Sequence, residues 1–160
     1  MADNTTPATT DTTAPKSDQQ ILLQRLYIKD CSFESPYAPA VFATPISPEI
    51  TVNMHSDAHP LDNGSVEVVL KVTAEAKHEN RTVFLVEVQQ AGLFSVTGFN
   101  EQEQAVIFAT YCPNILFPYL RETVSSLTIK GGMSPLLLQP MNFDALYAQQ
   151  AGSHAAAGNG

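Results

Sequence analysis

The sequence VFLVEVQQAGLFSVTG at residues 83–98 is an apolar stretch that carries one carboxylate, Glu87. Its β-branched and aromatic content predicts a strand. Because side chains alternate along a strand, two sets of residues face opposite ways. Phe84, Val86, Val88 and Gln90 form one set, and Val83, Leu85, Glu87 and Gln89 form the other. A carboxylate beside a leucine is a poor core element, so the second face is interpreted as a docking surface.

Three segments upstream also have strand character. Residues 49–55 and 66–77 alternate cleanly between apolar and polar side chains, and residues 62–64 read Asp-Asn-Gly, a turn sequence. Residues 78–81 form a second short polar turn. Residues 21–34 hold Ile, Leu, Tyr and Phe mixed with charge. Closely spaced strands with short turns predict an antiparallel meander with one wet face.

The strand predicted at residues 21–34 alternates imperfectly, and a short helix is the alternative. Tyr27, Ile28 and Phe33 favour the strand. Strict alternation places Leu22, Leu26 and Ile28 on one face with Asp30 and Glu34, and places Tyr27, Cys31 and Phe33 on the other.

Residues 35–48 contain four prolines, which remove backbone donors and block regular structure. A long crossing loop is therefore predicted here. It carries four large apolar side chains, Tyr37, Val41, Phe42 and Ile46. They either plug the edge of the core or form a hydrophobic surface for a ligand.

Helical patterns follow the strands. Asn100 is a helix cap with Glu103 at the capping-box position, and Pro113 is predicted to end or kink this first helix. A second helix is predicted over residues 114–130 with Gly131 after it. Asn142 caps a last, short helix. Strands first and helices after predict an α+β fold, a four-stranded antiparallel sheet with helices packed on one face.

Composition sets the outer limits of the folded part. Residues 1–20 are rich in Thr, Ala, Pro and Asp and are predicted to be a disordered N-terminal extension. Residues 151–160 are small and polar and are predicted to be a flexible tail. One domain over residues 21–150 remains.

The net charge of −8 excludes some partners. No basic patch is available to neutralise phosphates, so nucleic acid is not an expected partner, whereas a basic protein is compatible. There is no secretory signal and no apolar run of about 20 residues, so a soluble cytoplasmic protein without membrane insertion is expected. Cys31 and Cys112 are far apart and are predicted to be buried free thiols.

No catalytic constellation is present. The sequence has no GxSxG, P-loop, GxGxxG or HExxH motif. His55 and His59 are four residues apart, but at a strand end and in a turn, where that spacing does not form a metal site. Neither an enzyme nor a cofactor nor a metal is predicted.

Four motifs in order resemble the SecB family of bacterial protein-export chaperones. They are YIKDCSFESPYAP, FLVEVQQAGLFSVTG, YCPNILFPYLRE and PMNFDALY, and the resemblance covers residues 21–150. It implies a homotetramer, a dimer of dimers, with the helices between the sheets of the assembly. It also implies a chaperone without nucleotide that holds unfolded preproteins and passes them to the SecA ATPase.

The resemblance further implies site residues. SecA docks on acidic sheet residues, which match Asp30, Glu34, Leu85 and Glu87 here. The tetramer contact is assigned to Val86, Val88 and Gln90. Clients bind hydrophobic surface, for which the candidates are Phe33, Tyr37, Val41, Phe42, Phe143 and Leu146. Better-known members also contact SecA through an acidic C-terminal tail, whereas residues 148–160 hold no Asp or Glu.

Two other functions stay open. Some SecB-like proteins serve toxin–antitoxin systems, and the sequence carries no partner context that excludes this role. A small ligand-binding α+β domain, with a pocket under the proline-rich loop, is the other alternative. The close match along residues 83–98 favours the export chaperone.

Overall fold

The computed structural model describes residues 18–157, so the predicted N-terminal extension lies almost wholly outside the described residues. Four long strands come first and the helices follow. The strands are β1 (Gln20–Glu34), β2 (Glu49–Pro60), β3 (Val66–His78) and β4 (Arg81–Thr97). A short 3₁₀ helix (Ala40–Phe42) lies between β1 and β2, and after the strands come α1 (Glu101–Val106), a π-helical segment (Ile107–Tyr111), α2 (Cys112–Lys130) and α3 (Phe143–Ala157).

The strands form one antiparallel sheet in the order β1-β4-β3-β2. The predicted α+β fold with a four-stranded antiparallel sheet is confirmed. Two turns fit their sequences: Gly64 has a φ of 81° in the β2–β3 turn, and Asn80 has a φ of 63° in the β3–β4 turn. Since β1 and β2 are the two edges of the sheet, the loop between them must cross its width, about 14 Å at the usual strand spacing.

The sheet has a covered face and an open face. The covered face carries Phe84, Val86 and Val88 of β4, which belong to the hydrophobic core. Helix α2 packs on it with side chains that are fully buried, namely Leu116, Leu120 and Val124. The open face is the opposite side and carries Leu85, Glu87 and Gln89 of the same strand. One layer of helices on one face of the sheet leaves the other face without a cover.

Strand β1 departs from strict alternation at two places. The register with β4 shifts between Leu23 and Arg25 and again between Ile28 and Asp30. As a result Ile28 pairs with Gln90 of the covered face, and Tyr27 pairs with Ala91 of the open face. The expectation that Leu26 and Ile28 share a face with Asp30 and Glu34 is therefore wrong, because each bulge adds one residue and inverts the alternation.

The helical run does not end at Pro113. Residues 101–130 are continuous, because the segment before the proline widens to a π turn in which the N–H of Cys112 bonds to the carbonyl of Ile107. Proline lacks an N–H and crowds the preceding turn, and a wider turn accommodates both effects. The helix start is as predicted, since Asn100 and Glu103 form a reciprocal capping box.

Two further differences concern the chain end and a thiol. Helix α3 continues to Ala157, into the segment predicted to be a loose tail, because alanine has the highest helix propensity. Cys112 is buried, and desolvation raises its pKa to about 12. Cys31 is exposed, contrary to expectation, because it lies on the edge strand β1 beyond the cover of α2. The domain boundaries remain a prediction.

Candidate functional site

The four residues matched to SecA docking lie together on the open face. Glu34 pairs with Leu85 across β1 and β4, and Asp30 pairs with Gln89. Glu87 lies between Leu85 and Gln89 on the same side of β4. The three carboxylates are exposed and Leu85 is half-buried. The surface formed by Asp30, Glu34, Leu85 and Glu87 is called the acidic surface below.

No cation neutralises this surface within residues 18–157. The ion pairs of the described chain join other groups, and none includes Asp30, Glu34 or Glu87. Glu75 of β3 adds a fourth carboxylate beside Leu85, although Lys77 lies 3.6 Å from it. An apolar side chain flanked by unpaired acids suits a partner that presents cations around an apolar group.

The rest of the open face is neutralised internally. Glu67 accepts hydrogen bonds from Tyr27 and, at 2.6 Å, from Lys29, so β1 reaches across β4 to β3. These bonds hold the pKa of Glu67 below its usual value of 4.5. Burial, with the bond to Glu67, raises the pKa of Tyr27 to about 12. We call Tyr27, Lys29 and Glu67 the paired cluster.

A second neutralised group lies beside the paired cluster. Asp57 of β2 binds Lys71 at 3.2 Å and His55 at 2.8 Å. Partial burial raises the pKa of Asp57, but the bonds from Lys71 and His55 outweigh it and the pKa is lowered. Val69 and Ala91 lie on this part of the open face and are buried. The run of three apolar residues at 68–70 in the sequence was the signal for this burial.

Val86, Val88 and Gln90 are buried inside the single chain. Their exposed fractions are 0, 1 and 3 %, because α2 of the same chain covers them. Gln90 uses its amide to donate to the backbone carbonyl of Tyr27 at 3.0 Å, next to the second bulge of β1. Within one chain these residues support the helical layer, and the tetramer contact assigned to them stays a prediction.

Sequence reasoning did not identify the outer side of α2 as an apolar surface. Tyr111, just before α2, and Tyr119 and Ile129 within it have exposed fractions of 48, 49 and 56 % and point away from the core. Leu137, beyond the helix, is also exposed and lines a cavity with Ile129. The available signal was the occurrence of large apolar residues at positions of α2 that do not belong to its core-facing stripe.

A groove lies between the proline-rich loop and the segment after α2. Its volume is about 330 Å³, within the range of ligand pockets. Val41, Ile46 and Ile50 line one wall, Val83 and Phe84 the floor, and residues 132–136 the other wall. Val41, Ile46 and Val83 also line a smaller cavity of about 210 Å³. Most of the residues that line the groove are apolar, and it opens to solvent beside the edge strand β2.

The proline-rich loop is fixed to the sheet at its first half. Tyr37 accepts a hydrogen bond from Arg81, whose guanidinium lies 4.7 Å from the centre of the Tyr37 ring. Ser35 donates to the carbonyl of Val83 at 3.1 Å. Val41 is buried in the core, whereas Phe42 is exposed. Val41 therefore plugs the core edge, whereas Phe42 offers apolar surface, and the use of that surface by a ligand stays a prediction.

Phe33 and Phe42 rest on the two glycines that end α2. A Cβ on Gly131 would lie 2.1 Å from the Phe33 ring, and a Cβ on Gly132 would lie 3.2 Å from Phe42. Phe33 also stacks on Phe84 at 6.0 Å between ring centres. Phe33 is thus a half-buried support of the groove floor, and the absence of side chains at the glycines allows its position.

Phe143 and Leu146 lie elsewhere, at a cavity of about 410 Å³ between α3, the π-helical segment and β2. Phe143 is buried and packs edge-on against Phe117 at 6.2 Å, while Leu146 is exposed. Met54, Phe108 and Tyr147 also line this cavity. The six residues predicted to bind clients therefore divide between two separate places along β2.

Within the described part of the chain, no group of three or more His, Cys, Asp or Glu side chains is arranged to hold a metal ion. None of the helices between residues 18 and 157 combines the length and the apolar composition needed to cross a membrane.

Comparisons with known proteins agree on one family. The family model described as preprotein translocase subunit SecB matches residues 14–154. The protein-export protein SecB of Methylococcus capsulatus is 51 % identical over 133 residues, covering 83 % of this chain and 86 % of that protein. That of Alcanivorax borkumensis is 46 % identical over 152 residues, covering 91 % and 97 %.

Among solved structures, similarity extends to a SecB-like chaperone of Mycobacterium tuberculosis in complex with a ChAD peptide from the HigA1 antitoxin. The TM-score is 0.61 at 18 % identity, covering 76 % of this chain and 88 % of that chain, which supports the fold. On the family model and the identities to its relatives, the chain belongs to the SecB family of protein-export chaperones.

Proposed function

We propose that this protein holds unfolded precursor proteins in the cytoplasm in a state competent for export and delivers them to the SecA ATPase. The observation that carries the proposal is the position of two different surfaces in a chain that belongs to the SecB family. Apolar grooves lie along β2 and on the helical side, and the acidic surface lies on the open face. A client and a cationic partner therefore do not compete for the same side chains.

Client binding is assigned to the two apolar cavities. An unfolded segment exposes side chains that a folded protein buries, and grooves lined by Val41, Ile46 and Leu146 offer them cover. Such binding lowers the concentration of free unfolded chain by mass action and requires no nucleotide. Phe42 and Tyr37 at the loop between β1 and β2 extend the apolar surface beyond the groove.

SecA binding is assigned to the acidic surface. Its exposed carboxylates attract a basic segment, and Leu85 between them supplies apolar contact. Residues 148–160 hold no Asp or Glu, so this surface supplies the acidic contact without help from the C-terminal segment.

Assembly into a homotetramer is assigned to the outer side of α2. Tyr119 and Ile129 are large, apolar and exposed, and exposed side chains of this kind suit a protein contact. A second copy of the chain is the expected occupant, because the family resemblance implies helices enclosed between sheets. The covered face then supports the contact from below, through Leu116 and Val124.

The test combines three measurements on the purified protein. Light scattering should give about four times the subunit mass of 17.3 kDa. An unfolded, alkylated precursor should remain soluble in the presence of the protein and aggregate in its absence. SecA should bind at low salt and be released at high salt, since exposed charges are screened. A monomer, or a protein without effect on precursor aggregation, would contradict the proposal.

The two alternatives predict other outcomes. A chaperone of a toxin–antitoxin system would bind an antitoxin segment in preference to export precursors. The two relatives reported above, 51 and 46 % identical, are protein-export proteins, which favours the export function. A small ligand-binding domain would saturate with a compound of the size of the 330 Å³ groove and would not suppress aggregation.

A further inference from the structure

The segment at residues 133–142, between α2 and α3, has no helix or strand of its own. It joins the two apolar cavities: Met133 and Leu136 line the groove of 330 Å³, and Met141 lines the cavity of 410 Å³. We call residues 133–142 the strap. The strap is a wall of both cavities. Because it has no ladder of backbone hydrogen bonds, other contacts must fix its position.

Two side chains of α2 hold the strap by its backbone. The hydroxyl of Thr128 accepts a hydrogen bond from the N–H of Leu136 at 3.0 Å. The guanidinium of Arg121 donates to the carbonyl of Leu138 at 2.8 Å. Leu138 is buried between these contacts and belongs to the core. The middle of the strap is thus fixed at two backbone positions and one side chain.

The Thr128 hydroxyl has a specific arrangement. It is fully buried, and it donates its own hydrogen to the carbonyls of α2, at 2.9 Å to Ser125 and 3.2 Å to Val124. Its lone pairs are therefore free to face the strap. The backbone carbonyl of Thr128 also accepts from the N–H of Met133 at 3.0 Å, where the strap begins. Leu136 has no partner for its N–H other than this side chain among the hydrogen bonds of the described residues.

We propose that Thr128 is a positioning residue for client binding: its hydroxyl holds the strap as the wall of the apolar groove, with Arg121 as a second tether. The inference rests on the proposed client groove and names what keeps that groove formed. A groove whose wall is in place only part of the time binds with an affinity reduced by the populated fraction. Loss of the hydroxyl leaves the N–H of Leu136 without its acceptor, and the strap must move to hydrate it.

The test compares Thr128→Val, which keeps the shape and removes the hydroxyl, with Thr128→Ser, which keeps the hydroxyl. The matched control is Thr110→Val, because Thr110 is also buried and its hydroxyl donates only to the carbonyl of Val106, one turn earlier in the same helical run. Hydrogen exchange reports the amide of Leu136, and the binding probe is a fluorescent unfolded polypeptide that is reduced and alkylated so that it cannot refold.

Thr128→Val should lose protection at Leu136 and should bind the probe about fivefold more weakly, the loss of one hydrogen bond. Thr128→Ser and Thr110→Val should match the parent protein, and SecA affinity should be the same in all four. Retained protection at Leu136, or unchanged probe affinity in Thr128→Val, would overturn the proposal.

If Thr128→Val does not fold, Arg121→Ala replaces it. Arg121 is exposed, so its loss leaves the core intact and releases the strap at Leu138. Arg121→Ala should likewise weaken probe binding and increase hydrogen exchange in the strap. If either change were absent, the proposal would be overturned. A parent protein that binds no probe would contradict the proposed function instead, while the exchange comparison would still decide whether Thr128 holds the strap.

Discussion

The two faces of β4 differ in what a side chain there is able to do. On the covered face, Val86 and Val88 are enclosed by α2 and belong to the core. On the open face, Leu85 and Glu87 alternate with them along the same strand and meet solvent. Adjacent residues therefore differ in burial, so that a substitution at Leu85 or Glu87 is expected to change docking without unfolding the chain.

The open face is itself divided. Asp30, Glu34 and Glu87 have no ion-pair partner within residues 18–157, whereas Glu67 and Asp57 are neutralised by Lys29 and Lys71. Neutralised carboxylates stabilise the sheet and attract a partner weakly, while unpaired ones attract a cationic partner at little cost to the fold. The open face therefore contains one part whose ion pairs stabilise the sheet and one part whose carboxylates are available to a cationic partner.

The largest expected effect comes from one substitution made at two neighbouring positions. Val86→Asn places an amide in the core without partners and should lower the free energy of unfolding by about 3–5 kcal/mol, enough to unfold much of the protein. Leu85→Asn on the open face should cost about 1 kcal/mol or less and should weaken SecA binding. Urea unfolding and SecA titration measure both, and equal destabilisation would remove the distinction between the faces.

A smaller effect tests the end of the covered face. Gly131→Ala places a Cβ against the Phe33 ring, which must then shift from its contact with Phe84. This shift should lower the free energy of unfolding by about 1–3 kcal/mol. Gly152→Ala in α3 is the matched control, since its added methyl group would meet no atom within 4 Å beyond its chain neighbours and the nearby backbone of its own helix. The control should be neutral or stabilise the helix by about 0.5–1 kcal/mol. A loss in both variants, seen in thermal unfolding, would show a general intolerance of alanine instead.

Charge reversal tests the acidic surface. Glu87→Lys should weaken SecA binding about tenfold at low salt, or about 1.4 kcal/mol, because it replaces attraction by repulsion. Holding of unfolded precursor should be unchanged, since the grooves lie elsewhere. Asp62→Lys in the β2–β3 turn makes the same change of charge away from this surface and should bind SecA normally. Equal weakening in both variants would mean that SecA responds to net charge alone.

Local patterns in the sequence were sufficient for most of the fold. Alternation over residues 66–77, the capping pair Asn100 and Glu103, and the glycine after α2 each act through neighbours in the chain, so each was visible without the tertiary structure. The acidic surface was also within reach, because Leu85 and Glu87 share a strand face and the family resemblance supplied Asp30 and Glu34.

Features that depend on contacts between distant segments were missed. The bulges of β1 follow from its pairing with β4, and they move Tyr27 to the open face beside Glu67. The hydroxyl of Thr128 likewise gains its role only from the strap. None of these leaves a periodic signal in the sequence, because each is set by a partner more than six residues away or by packing.

The smallest expected effect concerns the paired cluster and its dependence on pH. The pKa of Glu67 is below 4.5 in the folded protein, so its contribution to stability is present above that pH and is lost as the pH falls through the folded value. The pKa of Tyr27 is raised from 10.0 to about 12, so its contribution is present below pH 10 and is lost as the pH rises towards 12. Both groups are partly solvated, which limits each contribution to about 1 kcal/mol or less.

Tyr27→Phe separates this cluster from the acidic surface. It removes the hydroxyl donor to Glu67 and should abolish the alkaline part of the loss, while Lys29 still holds Glu67 ionised and preserves most of the acid part. Urea unfolding at a series of pH values measures the free energy of unfolding of the parent and of the variant. The difference between the two at each pH is the contribution of the Tyr27 hydroxyl. SecA binding at neutral pH should not change, because the hydroxyl lies outside the acidic surface. If Tyr27→Phe weakened SecA binding as Glu87→Lys does, the two parts of the open face would be one docking surface.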